Sequence, residues 1–293
     1  MISTLDAHLL CVLFVLMDMA ARAWRIEWLL RGTGTCVNFS QAVAINAVGD
    51  AACAVTPMRI GGEPVRLWGM LRAGVPASAA FVAISTEILA AWPVILLAAG
   101  LLGWLFAPDW IAAALPRLRA AAMDAWVWIA LVVALSVLAW IVARRASRHV
   151  AVARAARSIR RVRVYWRRMP AGPVAASVPM TVLNLLSRTG MLVALALAEP
   201  SGMTVGPLFF ASFVLLYAQL ILPTPSGAGV VDLGLLGGAA GDLGGATLLW
   251  WRFYSSGIGV LVGAVVLVRA RLRDRPVRGV RFPWPNRKET IVP

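Results

Sequence analysis

The sequence predicts an all-α polytopic membrane protein, built as an inverted repeat of transmembrane helices with two re-entrant helical hairpins. Three observations lead to this fold class. Hydrophobic residues make up 60% of the 293 residues and charged residues only 14%, a composition outside the usual range of soluble domains. Several apolar runs approach the roughly 20 residues that span a bilayer. A short motif also occurs twice, in parts of the chain with opposite charge bias.

The net charge of +15 could indicate a nucleic-acid-binding protein. However, the arginines stand at the ends of apolar segments, where they report topology first and attraction to anionic lipid second. The three cysteines, Cys11, Cys36 and Cys53, are scattered in apolar surroundings and show neither disulfide nor metal spacing. We therefore expect no nucleic-acid partner, no metal and no cofactor.

The first apolar run, about Leu5 to Trp24, is long enough to span a membrane. Arg22, Arg25 and Arg31 lie at its end, so the positive-inside rule places that end in the cytoplasm. Asp18 precedes Arg22 by four residues on the same helical face, and the two charges can neutralise each other.

The stretch from Thr56 to Arg72, TPMRIGGEPVRLWGMLR, separates the apolar segment Gly34 to Val55 from a second apolar run, about Pro76 to Phe106. The sequence leaves open whether Gly34 to Val55 crosses the membrane or enters and returns. A return near Pro57 keeps the three arginines of the stretch in the cytoplasm, so the positive-inside bias favours a re-entrant hairpin.

The rest of the chain is divided by its arginines. The segment 144–168 holds ten arginines and no acid, with apolar residues at helical spacing, and is predicted to be an amphipathic helix on the cytoplasmic leaflet. Between Thr189 and Trp251 there is no lysine or arginine, which places that stretch on the outer side. The predicted organisation is one membrane domain, 1–268, with repeat 1 at about 1–106, a linking span at about 124–143, the basic segment 144–168, repeat 2 at about 173–268 and a basic cytoplasmic tail, 269–293.

The repeat rests on matched glycines, threonines and prolines. At an offset of 168 residues, Gly34, Thr56, Pro57 and Gly61 correspond to Gly202, Thr224, Pro225 and Gly229, and an acid, Glu63 or Asp232, follows in each copy. The opposite charge bias of the two copies makes the repeat inverted. Inverted repeats whose broken helices meet near the midplane are common in transporters, where the broken segments form the binding site. The expected hairpin turns are Thr56 and Pro57 in the first copy, and Thr224, Pro225, Gly227 and Gly229 in the second.

Charged residues inside the apolar segments are the candidate binding residues. Glu87 lies about 15 Å into its predicted helix and Arg188 about 20 Å into its own, and such buried charges normally face a partner or a wet cavity. Arginines outnumber acids here, so the site suits an anion such as phosphate. An alternative is that Glu63 pairs with Arg59 or Arg66, and Glu87 with Arg252, to close the bundle. The candidate substrate-binding residues are Arg59, Gly61, Gly62, Glu63, Arg66, Glu87, Arg188, Asp232 and Arg252.

The motifs TPMRIGGEPVRLWGMLRAGVP, preceded by NAVGD, and LPTPSGAGVVD resemble a known family. It is the flippase-like membrane domain shared by the lysylphosphatidylglycerol synthase transmembrane region, the membrane part of the multiple peptide resistance factor, and many stand-alone bacterial and archaeal proteins. The resemblance runs from about Arg22 to Val268. The second motif departs from the family pattern, with Ser226 at a glycine position and Asp232 at the acid. The family positions carried over are Pro57, Arg59, Gly61, Gly62, Glu63, Arg66, Pro225, Gly227, Gly229, Asp232 and Arg252.

The resemblance implies translocation of a lipid, or of a lipid-linked polar group, between leaflets of the bacterial cytoplasmic membrane. The expected partner is an anionic phospholipid or a polyprenyl or other lipid-linked phosphate, while the oligomeric state is left open. The soluble aminoacyl-transfer domain of the fused synthases is absent, so we expect no enzyme activity. The chain has no GxxxxGK[ST] loop and is not expected to be an ATPase.

Two other function classes stay open at the level of sequence. A membrane-embedded enzyme acting on a lipid phosphate could use Glu63, Glu87 or Asp232 as acid or base, although His8 and His149 lie outside the proposed site. An ion-coupled solute carrier would use re-entrant hairpins equally well.

Overall fold

The computed structural model describes residues 2–108, 150–199, 204–220 and 243–274, and singly 130, 134, 135, 137, 138, 141 and 224. All regular secondary structure in these residues is helical. Four helices are long and apolar enough to cross a membrane: Thr4–Gly32, Ala77–Phe106, Ala171–Ala196 and Gly245–Ala270. The predicted all-α membrane protein is thereby confirmed. The basic tail beyond Asp274, Asp232, Pro225, Gly227, Gly229 and most of the predicted linking span lie outside the described residues.

Helix α1 (Thr4–Gly32) begins at Ser3, whose side chain caps it by accepting a hydrogen bond from the Asp6 backbone N–H. It continues eight residues beyond Trp24, the predicted end of the first span. The predicted end of the first span is therefore too early, and Arg22 and Arg25 do not stand at the end of the helix. Both lie within the helix, and Arg25 is buried, because acids from α1 itself and from distant segments neutralise the two charges.

The stretch after α1 forms a helical hairpin of α2 (Phe39–Val55) and α3 (Gly62–Arg72). A capping box starts α2, with the Asn38 side chain accepting from the Gln41 N–H and the Gln41 side chain accepting from the Asn38 N–H. The two helices pack closely because glycines face the contact. A Cβ built on Gly49 would lie 2.6 Å from Cγ of Arg66, nearer than real Cβ atoms approach.

The remaining elements follow in chain order. Helix α4 (Ala77–Phe106) closes the first half, and α5 (Val150–Arg168) is a helix within the predicted basic segment. The second half contains α6 (Ala171–Ala196), α7 (Val205–Ala218) and a long helix from Gly245 to Asp274. That last helix consists of α8 (Gly245–Arg252), a π-helical turn (Phe253–Gly257) and α9 (Ile258–Asp274).

Helices α1 and α6 form the central pair and run antiparallel. Near the start of α1, Cys11 Sγ lies 3.5 Å from the carbonyl oxygen of Met191, late in α6. Near its end, Arg25 donates to Thr181 Oγ1, earlier in α6, at 3.0 Å. Helix α1, near the start of the chain, therefore points in the opposite direction to α6, which follows the basic segment.

Two apolar clusters lie at opposite ends of α1, one beside the first hairpin and the other beside α7 and α8. Both limbs of the first hairpin contribute to one cluster, through Ala42 and Met70. The start of α7 and the residue just before α8, Leu208 and Leu243, both belong to the other. The first core cluster comprises Ala23, Ile26, Leu29, Leu30, Val37, Ala42, Ile45, Met70, Val75, Ala79, Ala80, Ala83 and Ile84. The second core cluster comprises Cys11, Val15, the six residues Met191 to Ala196, Leu208, Leu243, Leu248, Trp251 and Tyr254.

Candidate functional site

A layer of charged side chains lies between the two core clusters. Asp18 is the central residue of α1, fourteen residues from either end, which is about 21 Å at 1.5 Å per residue. Arg22 and Arg25 follow within two turns on the same helix. The first hairpin, α4 and α6 add further charges, so the polar layer is enclosed by helices that are otherwise apolar.

One ion-pair chain joins α1 to α2. Arg22 pairs with Asp18 at 2.8 Å, as the sequence predicts, and also donates to both carboxylate oxygens of Asp50, at 2.8 and 3.0 Å. Asn184 of α6 donates to Asp18. One guanidinium nitrogen of Arg22 donates to both oxygens of Asp50, and this charge-assisted contact holds α2 against the centre of α1.

A second chain is centred on Glu87 of α4, which is 4% exposed. Its carboxylate accepts from Arg25 of α1 and from Arg66 of α3, the latter at 2.5 Å. Arg66 also donates to both oxygens of Glu63, at 2.9 and 3.0 Å, so the predicted alternative of a Glu63–Arg66 pair is present. Three helices are thus joined through one buried carboxylate.

The turn of the first hairpin carries backbone strain. Met58 and Arg59 have φ values of 53° and 58°, in the left-handed region, which costs a residue with a Cβ about 1–2 kcal/mol. Thr56 supports the turn, because its Oγ1 accepts from the Gly61 N–H at 3.0 Å. The strained backbone directs Arg59 to Gln219, whose Oε1 accepts from it at 3.0 Å.

Arg188 reaches the other half of the molecule from α6. Its guanidinium donates to the backbone carbonyl of Ser255 at 2.5 Å. Ser255 lies in the π-helical turn Phe253–Gly257, where the wider winding changes which carbonyls are free to accept. Such turns occur frequently at functional sites.

Three arginines from different elements converge on one cavity of about 160 Å³. Arg25 comes from α1, Arg59 from the hairpin turn and Arg188 from α6, and their like charges repel across the space. A water in the liquid takes up about 30 Å³, so the cavity has room for a small polar group. Hydroxyl and amide groups complete the polar lining, contributed by Thr181, Asn184 and Tyr217. We name this space the cationic cavity.

The predicted site residues fall into groups. Arg59 and Arg188 line the cationic cavity, while Arg66 and Glu87 are joined to it through Arg25. Glu63 lies at the edge, with its side chain 45% exposed. Gly61 and Gly62 lie where α2 and α3 pack. The Arg252 guanidinium lies over the ring of Trp251. Of the predicted turn residues, Thr56 supports the first turn and Thr224 is half-buried.

Sequence reasoning missed Arg25, Asp50, Tyr217 and Gln219 as parts of the polar layer. Arg25 follows an apolar run, and in sequence such a position indicates the cytoplasmic end of a span. Asp50 and Gln219 lie in apolar segments, and a polar residue inside such a segment is the signal that could have identified them. Their partners are distant in sequence, so the pairing itself was not visible.

Neither the curated proteins nor the solved structures give a significant match to the chain. The family model described as the lysylphosphatidylglycerol synthase TM region matches residues 2–263, which is most of the chain and includes every charged residue of the polar layer. The protein belongs to this family of lipid-related membrane domains.

Proposed function

We propose that the protein translocates an anionic lipid headgroup between leaflets, with the headgroup passing through the cationic cavity while the acyl chains stay in the bilayer. The observation that carries this proposal is the convergence of Arg25, Arg59 and Arg188 on a small cavity, enclosed among helices that are long enough to span. A charge at the bilayer centre costs at least about 2.5 kcal/mol. An anionic group would offset that cost.

The carboxylates within reach leave part of this positive charge uncompensated in the described residues. Arg25 shares Glu87 with Arg66, and Arg59 approaches Asp50 only to 3.9 Å, while Asp50 is held by Arg22. Arg188 donates to a backbone carbonyl. A phosphate or phosphodiester matches these guanidinium groups better than a cationic or neutral headgroup does.

The helix packing supports an inverted repeat around the cavity. Helices α1 and α6 are antiparallel, and the core cluster beside the first hairpin lies at the opposite end of α1 from the core cluster beside α7 and α8. An offset of 168 residues carries α4, Ala77–Phe106, onto residues 245–274, the bounds of the long last helix. Two re-entrant hairpins that meet from opposite sides give a headgroup alternating access to one central site.

The same geometry favours translocation of a lipid over an enzymatic reaction on a lipid phosphate. Glu63 and Glu87 are both engaged in ion pairs with arginines, so neither carboxylate is free to act on a substrate as an acid or a base. We therefore propose a transport protein of the cytoplasmic membrane. In this proposal, the open end of the first hairpin, which lies at the first core cluster, faces the cytoplasm together with the arginine-rich α5.

Reconstituted liposomes test the proposal. Headgroup-labelled phosphatidylglycerol, followed by reduction of the outer-leaflet label, should exchange faster with the protein than without it. Arg188→Gln should slow this exchange about tenfold to a hundredfold, because a charge-assisted hydrogen bond contributes about 1.5–3 kcal/mol. Arg163→Gln on the exposed surface of α5 removes the same charge away from the cavity and should leave the rate unchanged.

Three outcomes would contradict translocation. Equal exchange by the wild type and Arg188→Gln would exclude the cationic cavity as the path. Conversion of the labelled lipid to a new species would favour a membrane-embedded enzyme. Ion flux without lipid exchange would favour a solute carrier.

A further inference from the structure

A second cavity, of about 340 Å³, lies outside the polar layer, between the first hairpin and the last helix. Its floor is apolar, with Ile45 and Val48 from α2 and Val266 and Leu267 from α9. Its volume falls within the range of about 300–1,000 Å³ typical of ligand sites. We name it the hairpin groove. No residue of the groove lines the cationic cavity.

Polar residues occur at one end of this groove. Gln41 lies at the start of α2 and Arg72 at the end of α3, where both limbs of the hairpin leave the first core cluster. The Arg72 guanidinium lies over the ring of Trp68, 4.5 Å from its centroid. Arg269, next to the groove residue Ala270, is exposed at the same end of α9. An arginine beside a tryptophan at a helix end is typical of the membrane–water interface.

We propose that the hairpin groove binds one anionic glycerophospholipid, with its phosphate at Arg72 and an acyl chain on the apolar floor. The order of groups along the groove matches a lipid in its normal leaflet orientation. The cationic end is where the hairpin limbs open, and Val48 and Val266 lie deeper. The planar guanidinium of an arginine can bind two phosphate oxygens at once.

The headgroup charge, and not the chain, decides which lipid occupies the groove. A chain that moves from the bilayer into an apolar groove leaves one apolar medium for another, so little free energy is gained. The preference must come from Arg72 and the positive charge near it. Competition between anionic and zwitterionic lipids of equal chain length is therefore the informative measurement.

The purified full-length protein, in mixed micelles with a phosphatidylglycerol that carries a diazirine in its acyl chain, tests this site. After irradiation, cross-linked peptides should cover residues 41–48 and 266–270. Unlabelled phosphatidylglycerol should compete at least tenfold better than phosphatidylcholine. Cross-links of equal yield around the lipid-facing side of α4, at Leu97 and Leu101, would overturn the proposal, as would equal competition by the two lipids.

Two variants and one control locate the site. Arg72→Gln should remove most of the preference for phosphatidylglycerol, and Ala44→Phe should fill the groove and reduce the cross-links at least tenfold. Ala264→Phe places the same bulk on an exposed position of α9 and should have no effect. Unchanged cross-linking in both groove variants would overturn the proposal. Since binding is measured without transport, the result is independent of whether lipid exchange occurs.

Discussion

Arg59 donates a hydrogen bond to Gln219 across 3.0 Å, although the two residues are 160 positions apart in the chain. Arg59 lies at the turn of the first hairpin. Gln219 directly follows α7, a helix of the second half of the chain. Both are half-buried or buried. The contact brings the turn of the first hairpin to the end of α7, beside the cationic cavity that Arg59 lines.

Gln219→Glu should reduce the exchange of anionic lipid at least tenfold. The new carboxylate would pair with Arg59 and lower the positive charge of the cavity, while the side chain keeps its size. Headgroup-labelled phosphatidylglycerol in liposomes measures the rate. Asn38→Asp makes the same neutral-to-acid change at the N-cap of α2, where aspartate serves equally well, and should leave exchange unchanged. Equal slowing by both variants would show that net charge alone is responsible.

Glu87→Gln should destabilise the protein far more than Glu63→Gln. The first change leaves buried Arg25 and Arg66 without the carboxylate they share, and breaking a buried pair costs about 3–5 kcal/mol. The second removes a carboxylate whose side chain is 45% exposed, for which about 0–1 kcal/mol is typical. Thermal unfolding in detergent measures both. Similar melting temperatures for the two variants would contradict the central role of Glu87.

Gly49→Ala should destabilise the first hairpin, whereas Gly100→Ala should not. A Cβ at position 49 would lie 2.6 Å from Cγ of Arg66, but a Cβ at position 100 has no atom within 4 Å. Overpacking costs about 1–3 kcal/mol, while alanine in an open helix position gains up to about 1 kcal/mol. Both glycines lie inside helices, so the gain in helix propensity from glycine to alanine is the same at the two positions. Unfolding midpoints that rise for both variants would show that α2 and α3 can separate at no cost.

Cysteine labelling from either side of the membrane should distinguish the two hairpin openings. In a background with Cys11 and Cys53 replaced by alanine, native Cys36 and an introduced Ala77→Cys flank the first hairpin and are exposed. We expect an impermeant maleimide to reach both from the same side. Thr204→Cys and Gly244→Cys, at exposed positions flanking the second hairpin, should react from the opposite side. Labelling of all four positions from one side would contradict the inverted repeat.

The amino-acid sequence determined the membrane class, four of the spans and the position of the first helical hairpin without help from tertiary structure. Apolar length and arginine position are local properties, and they predicted the starts of α4 and α6 to within a few residues. The repeated glycine, threonine and proline pattern identified the turn at Thr56. The Asp18–Arg22 pair was predictable because it lies within one helix, four residues apart.

Only the tertiary structure decided which charges neutralise one another and which face the cavity. Arg25 reads as an interfacial residue in sequence, and it becomes a cavity residue because α4 supplies Glu87, 62 positions away. Asp50 and Gln219 likewise acquire partners from other elements. Electrostatic pairing depends on distance in space, and antiparallel packing of α1 on α6 brings together groups that no local pattern connects. The sequence alone therefore predicts that buried charges must converge, and the fold selects Arg25, Arg59 and Arg188 as the three that line one cavity.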